Sequence, residues 1–140
     1  MTLTIERWYP WLSGAGAATL SWFLGCQLPS DSNLPSLLSA TISVSAILVG
    51  FTATMKSILM AVPSVIAGIK EAEYLDDLAT YMSEATASNL GFCVLNLFGF
   101  FKWPGAHLEI FSVMWIGFGV AALLTFWRVT RIMTILLRTT

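Results

Sequence analysis

Charge is the scarcest feature of this sequence. Of its 140 residues only 11% are charged, against 56% hydrophobic, whereas a soluble domain carries about 25% charged residues. The mean hydropathy is +0.77. So short a chain cannot hide that much apolar surface from water, because its surface-to-volume ratio is too high. Seven basic residues scattered along an apolar chain do not make a nucleic-acid face. The single histidine, His107, falls in a short turn with Glu109 and reads as a solvated interfacial residue, not a ligand. The two cysteines, Cys26 and Cys93, lack metal-ligand spacing and read as small apolar packers, not a disulfide. There is no glycine-rich phosphate loop, no nucleophile elbow and no potassium-filter motif. These absences predict a non-enzyme without cofactor or metal, and without direct nucleic-acid binding.

The chain does contain long apolar runs. A spanning helix needs about 20 mostly apolar residues, and four such stretches occur, at about 8–28, 36–55, 85–103 and 110–127. The first begins with Trp8, Tyr9 and Trp11, rings that favour the headgroup level of a bilayer. Its length suits a retained span better than the short core of a signal peptide. The segment Pro29–Pro35, "PSDSNLP", makes a turn, as does "WPGAH" at Trp103–His107. The predicted fold is an all-α integral membrane four-helix bundle with helices extending into the cytoplasm, in one domain over 1–140.

Basic residues set the predicted orientation. Arg7, Lys56, Lys70, Arg128, Arg131 and Arg138 fall on one side of this layout and Lys102 alone on the other. That asymmetry predicts an inner-membrane, multi-pass protein with both termini cytoplasmic. Trp8, Trp11, Lys56, Arg128 and Arg131 then read as membrane anchors. Lys56 is a snorkelling anchor or a charge lining a cytoplasmic vestibule.

Helical periodicity continues past the second and fourth spans. Over 64–84, Val65, Ile69, Ala72, Leu75, Leu78 and Met82 recur on one face. The opposite face carries Glu71, Glu73, Asp76, Asp77 and Glu84. Lys70–Glu84 has net charge −4, one lysine against five acids. Over 128–138 the pattern is basic and amphipathic, suited to anionic lipid or to pairing with the acidic helix. These segments predict a cytoplasmic stalk, either a plain solvated helical bundle or a surface that docks a cytosolic partner through Glu71, Glu73, Asp76 and Asp77.

Small residues let membrane helices approach closely. Ser13, Ala17, Ser21 and Gly25 form one stripe, with Gly14 and Ala18 beside it. Ala46, Gly50 and Thr54 form a second, and Gly117, Ala121 and Thr125 a third. Several such faces on one short chain predict a closed homo-oligomer. In the third span Asn89, Cys93 and Asn96 share a side, with Glu84 leading in. Polar groups at that depth should face protein or water. The asparagines are interhelical glue, or Glu84, Asn89 and Asn96 line a polar pathway.

This layout, with a second span running into a charged cytoplasmic helix and a third entered through "YMSEATASNLGFCVLNLFGFF" at Tyr81–Phe101, resembles the RexB-like small membrane proteins of phage exclusion. More distantly it is similar to the membrane component of the Kiwa antiphage system. The resemblance implies a membrane effector or sensor paired with a cytosolic protein. Three functional expectations stay open: a homo-oligomeric scaffold or sensor subunit in antiphage defence, an ion-conducting pore that depolarises the membrane, or an accessory subunit of a larger membrane complex.

Overall fold

A computed structural model of the chain describes residues 3–26, 28–29, 33–61, 75–101 and 105–139. Among them are four α-helices and no strand: α1 (Leu3–Leu24), α2 (Asn33–Ala61), α3 (Leu75–Phe98) and α4 (Gly105–Thr139). Much of the expected acidic segment, including Glu71 and Glu73, lies outside the described residues.

Helix boundaries depart from the sequence expectation in an informative way. Helix α1 ends because Gly25 turns into the left-handed region, with φ of 63°. The Gly25 amide donates to the Trp22 carbonyl at 3.2 Å and the Cys26 amide to the Ser21 carbonyl at 2.9 Å. That pair of bonds is the Schellman cap, which favours glycine. Gly25 is therefore a terminator and not part of a packing stripe. Pro35 sits in the first turn of α2, where a missing amide hydrogen costs no helix bond. Helix α2 runs on past Lys56 to Ala61. The acidic segment, read as following the second span, is continuous with the third: α3 passes unbroken from Leu75 to Phe98. Helix α4 runs on through Arg128 to Thr139, along the pattern that continues past the fourth span. Its 35 residues span about 52 Å at 1.5 Å per residue.

The helices alternate in direction and lie in an open row. Helix α1 packs on α4, α4 on α3, and α3 on α2, while α2 barely touches α4 and no extensive contact joins α1 to α2. The four helices thus form a layer with two free edges. Small residues explain the α1–α4 seam. A Cβ placed on Gly14 would lie 2.6 Å from the Gly117 carbonyl oxygen and 2.9 Å from Ala121 Cβ. One on Gly117 would meet Ala18 Cβ at 2.8 Å. Gly14 and Ala18 make this approach, while Ser13 is exposed and Ala17 half-buried. Ser21, from the expected stripe, is buried and donates to the Ala18 carbonyl at 2.8 Å. Ala46, Gly50 and Thr54 are all exposed on α2, and nothing lies within 4 Å of a Cβ added at Gly50. That second stripe joins no two helices of this chain.

Two of the four helices are long and apolar enough to cross a membrane, over Asn33–Ile58 and His107–Ile135. The other two are lowered by polar content: Tyr9, Pro10, Ser13 and several glycines in α1, and the acids, asparagines and hydroxyls of α3.

Candidate functional site

One end of the row collects the N-terminal turns of α1 and α3 and the C-terminal half of α4. Here the apolar stripe of α3 meets that of α4. Leu78, Tyr81, Met82 and Ala85 form a buried cluster with Val129 and Met133, and Ile132 and Met55 pack against it. The period of three and four on both helices makes this a continuous seam. It pairs the described part of the acidic segment with the basic one, within a single chain. Met55 brings the C-terminal half of α2 to the same level, so the adjacent Lys56, which is exposed, lies at the end that carries Arg7 and Arg128.

At the base of this seam sits an ionic cluster. Glu84 accepts from Arg7 Nε at 3.2 Å and from Arg128 Nη2 at 2.7 Å. Arg128 also donates through Nη1 to the Arg7 carbonyl at 3.2 Å. Its guanidinium carbon stands 4.1 Å from the centroid of the Tyr81 ring, a cation–π contact. The Arg128 side chain is 2% exposed, Glu84 is 21% exposed and Arg7 is 58% exposed. Arg128 was expected to be an anchor at the membrane surface. It lies instead inside the protein, because a carboxylate, a carbonyl and an aromatic face together replace its water. One side chain ties α1, α3 and α4. Glu84, expected to lead a polar pathway, is the shared partner of two arginines.

The asparagines are placed deeper in the row. Asn96 Nδ2 donates to the Phe92 carbonyl of its own helix at 2.7 Å, while its Oδ1 accepts from Trp115 Nε1 on α4 at 2.8 Å and from the Thr41 hydroxyl on α2. It therefore joins the three helices. Asn89 Nδ2 donates to the Ala85 carbonyl at 2.8 Å and to the Ala122 carbonyl of α4 at 3.3 Å. Ser88 and Thr125 share a hydroxyl bond of 2.7 Å beside it. Because α2 and α4 stand apart, a groove of about 270 Å³ opens above α3, lined among others by Thr41, Ser45, Asn89, Phe92, Trp115 and Val120. Its wall is almost entirely apolar.

The remaining candidate residues fall as follows. Asp76 lies in the first turn of α3, and Asp77 is half-buried there. Trp8, Trp11 and Arg131 are exposed. Cys26 and Cys93 are free thiols, Cys26 exposed and Cys93 half-buried. Among the described residues no group of three His, Cys, Asp or Glu side chains could hold a metal ion. The sequence reading missed Arg7 and Tyr81 as partners of Arg128, and Thr41 and Trp115 as partners of Asn96. A usable signal existed for the first. Glu84 is the acid nearest the start of the third span and Arg128 the first base after the fourth, on the same predicted side.

No protein-family model, curated protein or solved structure matches this chain.

Proposed function

We propose that the protein is a bacterial inner-membrane scaffold or sensor subunit. In this reading four helices span the membrane, both termini are cytoplasmic, copies assemble into a homo-oligomer, and the projecting ends of α3 and α4 dock a cytosolic partner. The observation that carries the proposal is the continuity of α3 and α4. Neither breaks where its charged extension begins, and the extensions are zipped by Leu78, Tyr81, Met82, Val129 and Met133 above the Glu84–Arg128 pair. A seam without a joint makes the membrane part and its extension one stiff unit, as a docking platform requires.

Other features support the membrane placement. Large apolar side chains stand exposed on every helix, among them Phe23, Ile47, Leu97 and Leu123. Water does not tolerate such a surface on a monomer, and lipid does. The positive-inside asymmetry agrees with the shared end of Arg7, Lys56, Arg128 and Arg131. The free edge of α2, with exposed Ala46, Gly50 and Thr54, is available to a second copy. The asparagines donate to carbonyls and bind helix to helix, which favours the scaffold over an ion-conducting pore. The resemblance to RexB-like proteins is the ground for proposing a role in antiphage defence.

Purified protein in liposomes with a potassium gradient tests this directly. Flux should not exceed that of protein-free vesicles. Clear flux, abolished by Asn89→Leu or Asn96→Leu and kept when Asp76 and Asp77 are changed to lysine, would establish the pore instead.

A further inference from the structure

The ion-paired cluster around Glu84 holds two cations and one carboxylate. Arg7 and Arg128 share a single carboxylate, and Arg131 is exposed about one turn further along α4. Arg128 is consumed by the interior, between Glu84, the Arg7 carbonyl and Tyr81. Arg7 is not. Among the described residues only its Nε is engaged, by Glu84 Oε1, and its side chain is 58% exposed. Among the described residues the Arg7 Nη groups have no protein acceptor. A guanidinium carries five N–H donors in a rigid fork, so Glu84 fixes the orientation of the group and leaves its Nη edge pointing outward.

The surroundings of that edge define what it fits. Trp8, next to Arg7, is 56% exposed, and Trp127, next to Arg128, is 62% exposed. Exposed tryptophans of this kind sit at headgroup level. A paired Nη edge matches two oxygens of a phosphate. Along α3 the next acids, Asp77 and Asp76, lie about 10–12 Å from Glu84 at 1.5 Å per residue, beyond a Debye length of about 8 Å. We propose that Arg7, oriented by Glu84 and backed by Arg128, is a binding site for the phosphate of a net-anionic membrane lipid. Two arginines on the one carboxylate they share favour a net-anionic headgroup over a zwitterionic one, whose ammonium would meet the same arginines. The proposal rests on the reading of the chain as a membrane protein.

Native mass spectrometry of the detergent-purified full-length protein, titrated with phosphatidylglycerol or phosphatidylcholine, tests it. One surface arginine contributes about a fivefold preference for anionic lipid. Phosphatidylglycerol should therefore be retained about fivefold better than phosphatidylcholine, and Arg7→Gln should bring the ratio near one. Arg7→Lys keeps the charge without the fork and should fall between. Raising ammonium acetate tenfold should erode the wild-type preference, a readout that needs no variant. Equal retention of both lipids by the wild type, or a preference unchanged in a folded Arg7→Gln protein, would overturn the site. Carbonate washing of cell membranes separates this failure from failure of the membrane reading, which would release the protein into the supernatant.

Discussion

Glu84 serves two arginines of unequal burial, and the difference decides what each contact contributes. The Arg7 contact is exposed, and exposed ion pairs stabilise by about 0–1 kcal/mol because water screens them and side-chain entropy opposes them. The Arg128 contact compensates a cation that is 2% exposed. Removing the partner of a buried charge costs about 3–5 kcal/mol, and the partial exposure of Glu84 places the loss toward the lower figure. Thermal unfolding in detergent should therefore show a large fall for Glu84→Gln and little change for Arg7→Gln. Equal shifts for the two variants would mean that Arg128 finds water or another anion when Glu84 is neutral. The asparagines belong to the same scale. Asn96 is the one that ties α2 to α4 through Thr41 and Trp115, and such bonds contribute about 0.6–2 kcal/mol inside a membrane.

At the scale of helices, glycine marks the seam that exists and the seam that stands open. The α1–α4 contact admits no Cβ at Gly14, where the nearest atom is a backbone oxygen that cannot swing away. Gly14→Val should part the two helices and lower the unfolding temperature sharply, since overpacking costs about 1–3 kcal/mol or more. Gly50→Leu should leave the fold of one chain untouched, because nothing lies within 4 Å of the added carbon. Its effect should appear only in the oligomer, as a loss of the larger species by native mass spectrometry. A Gly50→Leu protein with unchanged assembly removes this face of α2 from the subunit interface. Residue spacing alone had marked Ser13, Ala17, Ser21 and Gly25 as the α1 stripe. The correct pair, Gly14 and Ala18, lies one position over. Both sets repeat at four, and only the position of α4 distinguishes them.

For the whole molecule the open row and its alternating directions put Arg7, Lys56 and Arg128 at one end and Cys26 at the other. Exposed Cys26 is a ready label for the far side. In intact cells a membrane-impermeant maleimide should modify Cys26, and in a Cys26→Ser background it should miss Thr139→Cys until the membrane is opened. Labelling of Thr139→Cys from outside, with Cys26 silent, would invert the proposed orientation. The row also has two unsatisfied edges, α1 and α2, which is the geometric reason to look for neighbours.

Local chemistry determined a good deal by itself. The all-helical class and the apolar stripe of Leu78 and Met82 follow from composition and a period of 3.6, which act within a few residues, whereas Pro35 and His107, expected in turns, lie inside α2 and α4. The tertiary structure decided what those signals cannot carry. It joined the acidic segment to the third span in α3, because packing of its stripe on that of α4 continues past Glu84. It turned Arg128 from an anchor into a buried tie, because Glu84 and Tyr81 stand opposite on another helix. It also left the helices in a row, because an interhelical contact depends on the partner's shape and charge at the same height, and that information lies more than a hundred residues away in the chain, as between Arg7 and Arg128.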